Sequence, residues 1–154
     1  MSKIALWGFC YIVLIALPIS SQVDLLPDEA RSFIESELSK KGFSDLKVSC
    51  VQSKPLPDHP HVLIELGVEE RTTEEVDDIC CEAALIIAAL QPISRYIPSL
   101  EIHPVFKVDT LRFMRMGKLM CWISADDCVK AISPGIFTRK ERKQFILSRL
   151  QSGK

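Results

Sequence analysis

Apolar residues recur along this chain with changing period, and each change marks an element. Residues 4–19 are apolar throughout, with Lys3 ahead of them and no further charge until Asp24. A helix in a water-soluble fold carries a polar face, and this stretch has none. Its length lies between the apolar core of a signal peptide and a full membrane span. Pro18 and then Ser20-Ser21 offer a helix stop and small residues for cleavage. Residues 1–21 therefore read as a signal peptide or an uncleaved membrane anchor. Lys3 is the cation nearest the run and Arg31 the next, so the positive-inside rule keeps the N-terminus in the cytoplasm and sends the remainder outward. The expected location is secreted or extracytoplasmic. With the segment retained, the chain is a single-pass membrane protein held through residues 4–19.

A helical period takes over at Pro27. Over 27–41 the stripe Ala30, Phe33, Ile34 and Leu38 predicts an amphipathic helix, with Asp28-Glu29 at its start and Lys40-Lys41 before Gly42. Residues 45–53 then alternate, Leu46, Val48 and Cys50 against Lys47 and Ser49, which predicts a strand. After a Pro-rich loop, residues 61–69 predict a second strand, antiparallel to the first.

Thr72 and Glu75 form a capping-box pattern ahead of a helix running to about Gln91. From Ile79 to Leu90 that helix carries one charge, Glu82. A helix apolar all round must be covered on several sides, between layers of its own chain or against a partner. Further on, 100–107 predicts a strand that Pro104 confines to an edge, and 110–116 with 118–124 predicts a hairpin around Gly117. Ser124 to Asp127 caps a short helix. Thr138 and Glu141 cap a C-terminal one with Phe145, Ile146 and Leu150 as its apolar stripe.

The order predicts an α+β domain over 22–135, helices layered on an antiparallel sheet, ferredoxin-like or a permutation of it. The basic helix of 136–154 is appended to it. Charge changes this picture at that point. Residues 22–133 carry 19 acidic and 12 basic side chains, whereas 137–154 carry six cations, Arg139, Lys140, Arg142 and Lys143 among them, against Glu141. Such a tail pairs with the acidic body or meets an anionic surface or partner. The whole chain, at −1, lacks the basic excess of a nucleic-acid binder.

Candidate chemistry is sparse. Cys50, Cys80, Cys81, Cys121 and Cys128 are odd in number, so at least one is unpaired even if disulfides form. Buried thiols packing as small hydrophobes are the plain alternative. His59 and His61 share a loop and strand start with Asp58, and His103 lies on another strand. Together they form a conceivable zinc, copper or nickel set, against the simpler reading of solvated histidines. Asp77-Asp78 and Asp126-Asp127 sit at helix starts, where capping explains them. No cofactor or catalytic motif is present. The expected function is a non-catalytic protein-interaction or self-association module, with the 79–90 helix as a contact surface for a second copy or a partner. The alternative is a metal or thiol-redox protein using the histidines or cysteines.

Overall fold

Proline lacks the N–H that a first helical turn leaves unused, and Pro27 accordingly opens a helix. The computed structural model describes residues 21–51, 60–67, 70–92 and 102–153. A short strand, β1 (Ser21–Asp24), leads to that helix, α1 (Pro27–Lys40). Ala30, Ile34 and Leu38, spaced four apart, bury its inner stripe. Gly42, at φ +91°, ends it. The Phe43 N–H reaches back to the Leu38 carbonyl at 3.1 Å and the Gly42 N–H to Ser39 at 3.0 Å, so the terminal carbonyls are satisfied.

The strands β2 (Lys47–Val51) and β3 (His61–Glu65) pair antiparallel, as their alternation predicts. Helix α2 (Thr73–Leu90) follows, then β4 (Ile102–Val105), β5 (Thr110–Arg115) and β6 (Lys118–Ser124). The expected hairpin forms at Gly117, φ +75°. Helices α3 (Ala125–Ala131) and α4 (Arg139–Arg149) come next, and β7 (Gln151–Ser152) closes the β6 edge. These four helices and two sheets make a mixed α+β fold among the described residues.

The sheet departs from expectation. It is mixed, in the order β2-β3-β5-β6-β7, rather than antiparallel throughout. The cause is α2, which carries the chain across the layer so that β5 starts beside β3 and runs parallel to it. A ferredoxin-like sheet inserts a strand between the two that its crossover joins, and here they are neighbours. Strand β4 instead pairs parallel with β1 in a separate two-stranded ribbon, where Pro104 disturbs no central ladder.

One sheet face supplies Val48, Val62, Ile64, Leu111, Phe113 and Ile123 to the core. The helices bury theirs against it. The apolar half of α2 is covered by its own chain: α1 lies against it, as do α3 and α4. Between residues 79 and 90, Ala89 alone is exposed. Where α2 ends, the buried Gln91 amide donates to the carbonyls of Ile87 (2.9 Å) and Phe106 (3.2 Å), and its oxygen accepts from the Val108 N–H (3.2 Å). That staple sets the approach to β5. No helix among the described residues is long and apolar enough to cross a membrane, and the 4–19 segment lies outside them.

Candidate functional site

The basic C-terminal helix begins where its sequence predicts. The Glu141 N–H donates to the Thr138 hydroxyl at 3.3 Å, and the Thr138 N–H donates to the Glu141 carboxylate at 2.9 Å. The apolar stripe then docks. Ile146 is fully buried against α2 and α3, and Phe145 stacks on Phe137 with ring centroids 4.8 Å apart. The Arg149 guanidinium lies 5.2 Å above the Phe145 ring, a cation–π contact that steadies the far end.

Between α4, α2 and the end of α1 lies a cleft of about 800 Å³. Cys81, Leu85 and Ile146 line its interior, and Lys41, Arg139, Lys140, Arg142 and Lys143 face Asp78 and Glu82 around it. The cations outnumber the carboxylates, and several are already engaged. The Lys143 ammonium bonds the Asp78 carboxylate, which holds the lysine pKa above its ordinary value. Arg142 Nε donates to the Ala131 carbonyl at the end of α3, 2.9 Å away. Lys41 stands 3.9 Å from Glu82. Arg139 and Lys140 are exposed and have no partner among the described residues. The cis pairing anticipated between tail and body thus takes up part of the charge and leaves the first turn of α4 positive.

That turn is an odd place for cations. A helix N-terminus carries a partial positive charge, so Arg139 and Lys140 oppose the dipole there, each at a cost of about 0.3–1 kcal/mol. The first N–H groups of a helix have no intrahelical acceptor, and here the Thr138 hydroxyl takes up that of Glu141. An anion at this point would satisfy N–H groups, dipole and side chains together. A second concavity of about 680 Å³, lined by Lys107, Lys130, Asp109 and Asp126, is balanced in charge and has no such bias.

The remaining sequence candidates are dispersed. Cys81 lies under the cleft with its thiol donating weakly to the Lys143 carbonyl, 3.8 Å away. Burial pushes that thiol up to about 11, against the opposing pull of Lys143. Cys50, on β2, is likewise raised to about 11 and Cys128, on α3, to about 12, both chiefly by burial. These three are protonated and unreactive at neutral pH. Cys80 is buried on α2 and Cys121 half-buried on β6. No disulfide links the five.

His61 starts β3 in the five-stranded sheet, and His103 lies on β4 in the other ribbon, its Nε2 buried without a partner. His59 lies outside the described residues. Among those residues no group of three or more His, Cys, Asp or Glu side chains could hold a metal ion. Of the acidic pairs, Asp126-Asp127 occupies the first turn of α3, where the Asp127 N–H bonds Ser124 Oγ at 3.1 Å and Asp127 sits 3.8 Å from Lys130; Asp77-Asp78 instead lies beyond the first turn of α2, and Asp78 pairs with Lys143.

Sequence reasoning found the cations but missed Lys41, Asp78 and Glu82 as their neighbours, because those approach from distant parts of the chain. No family model, curated protein or solved structure matches the chain, so the cleft is read from its own chemistry.

Proposed function

We propose that the chain is an exported or membrane-anchored, non-catalytic interaction module that holds an acidic segment of a partner protein at the first turn of α4. The observation that carries this is Arg139 with Lys140. They lie at the mouth of a cleft whose lining is net positive, against the dipole of their own helix and without a partner among the described residues. Local stability gives no reason for them, and a bound carboxylate does. A protein segment fits better than a flat surface, because the cations rim a concavity. The apolar run of 4–19 behind Lys3 supports export or anchoring. Cleavage after Ser21 would leave Gln22–Asp24 in register with His103–Val105.

The test uses the detergent-solubilised full chain and a fluorescent peptide of alternating Glu and Asp. Binding is expected to weaken steeply between 50 and 200 mM salt, and Arg139→Glu/Lys140→Glu is expected to weaken it by at least about tenfold. No binding at low salt, or binding indifferent to the double substitution, rejects the reading. If anionic vesicles bind in a substitution-sensitive way and the peptide does not, the partner is a lipid surface and the protein-partner reading falls.

A further inference from the structure

The turn that leads into α4 leaves an apolar side chain in water. Gly135, at φ +76°, lies in that turn between Pro134 and Ile136. Phe137 then stacks on Phe145, and Ile136 stays 63% exposed. A lone exposed isoleucine is ordinary on a protein surface. This one is not alone, because Ile136, Phe137 and Phe145 line a shallow hollow of about 490 Å³. The hollow and the cationic cleft flank the same helix. Glu141, Gln144 and Ser148 border the hollow, whereas Arg139, Lys143 and Ile146 border the cleft. At about 3.6 residues per turn, these two sets lie on opposite sides of α4. Both surfaces reach its N-terminal end, the hollow through Ile136 and Phe137 and the cleft through Arg139 and Lys140.

Resting on the reading of α4 as a site for an acidic segment, we propose that the segment passes over the first turn of the helix and seats one bulky aliphatic or aromatic side chain in the Ile136–Phe137 hollow. Its carboxylates lie on the other side, against Arg139 and Lys140. The two surfaces suit different side chains. The cleft lining is net positive. Among the residues lining the hollow, Glu141 alone is charged, and its carboxylate already accepts the Thr138 N–H at 2.9 Å. A second carboxylate there would meet repulsion, so acidic residues sort to the cleft and an uncharged apolar residue to the hollow. Geometry sets their spacing. A helix with its side chains is about 10–12 Å across. An extended chain advances about 3.3 Å per residue, so the apolar residue stands about three to four residues from the nearest acidic one. Charge then draws many acidic segments to α4, and the hollow selects those with a bulky residue at that spacing.

The full chain, held in nanodiscs of zwitterionic lipid so that detergent does not fill the hollow, is titrated with fluorescent peptides. Each carries a block of alternating Glu and Asp. One has leucine at the stated spacing after the block, one has it before the block, and one has alanine at both places. A leucine peptide, in one order or the other, is expected to bind at least about fivefold more tightly than the alanine peptide. Ile136→Ser is expected to abolish that advantage and to leave the alanine peptide's affinity unchanged, which also reports an intact fold. Ile136→Leu is expected to keep the advantage. Arg139→Glu/Lys140→Glu is expected to weaken all three peptides. No gain from leucine in either order, or a gain that survives Ile136→Ser, overturns the inference while the acidic-segment reading stands. If none of the peptides binds at low salt, that reading falls and the inference falls with it.

Discussion

Helices α2 and α4 begin with the same device and with opposite charge. In α2 the Thr72 hydroxyl accepts the Glu75 N–H at 3.2 Å, and Glu74 and Glu75 occupy the first turn, where the dipole favours them. In α4 the Thr138 hydroxyl accepts from Glu141 in the same way, yet Arg139 and Lys140 outnumber the Glu141 carboxylate in that turn. Their anchoring differs too. Nine side chains of α2 are buried, and of α4 only Ile146. A helix that is deeply held tolerates poor end charges more easily than one that is not, so charge chosen for stability alone would be distributed the other way round. The charges of α2 serve the helix itself. Those of α4 serve whatever meets its N-terminus.

The largest test of this contrast is Ile146→Ala. A buried isoleucine cut to alanine costs about 2–5 kcal/mol, and here it removes the one wholly buried contact of α4. Chemical denaturation should show that loss, and Cys81 beneath the helix should become alkylated. Unchanged stability with Cys81 still protected would show that α4 is held by something other than its apolar stripe.

Alkaline pH probes the same seam more gently. Burial raises Cys81 to about 11 and Cys128 to about 12, from an unfolded value near 9.0. For a raised pKa the stabilisation is complete below the unfolded value and disappears as pH climbs through the folded one. Each thiol should therefore cost about 1.4 kcal/mol by pH 10. Thermal melts from pH 8 to 11 should fall accordingly, and Cys128→Ala should flatten the slope. A melting temperature level to pH 11 would contradict the burial of these groups.

The smallest effect is the most direct comparison. Charge reversal at Arg139 and Lys140 should raise stability by about 0.3–1 kcal/mol per site, and Glu74→Lys with Glu75→Lys in α2 should lower it by as much. The two pairs, measured side by side in urea, should differ in sign. Equal signs would mean that the dipole does not govern these ends.

Local signals carried much of this fold. Pro27 and Gly42 bracket α1, the alternation through Val48 and Cys50 gives β2, and Thr138 with Glu141 forms the capping box that starts α4. All of these depend on residues close in sequence. Strand β1 escaped notice because Ser21–Asp24 has no periodicity and takes its order from β4, far along the chain. The parallel pairing of β3 with β5 was equally hidden, since register between distant strands leaves no mark in either. The apolar half of α2 called for cover, and the sequence left open whether the chain or a partner supplies it; α1, α3 and α4 do. The site divides in the same way. The cations of α4 stand out as a run, whereas the carboxylates that neutralise some of them arise only from tertiary packing.

One detail at the sheet edge bears on how this protein should be handled. Gly153 donates its N–H to the Met120 carbonyl at 2.9 Å, and it lies so close to the backbone of Leu119 that any side chain there would collide with it. Residues 151–153 thus act as a zip fastener that closes only around a hydrogen atom. Were it opened, β6 would offer bare amides to its neighbours in solution, and clumping of the purified material would be the first symptom.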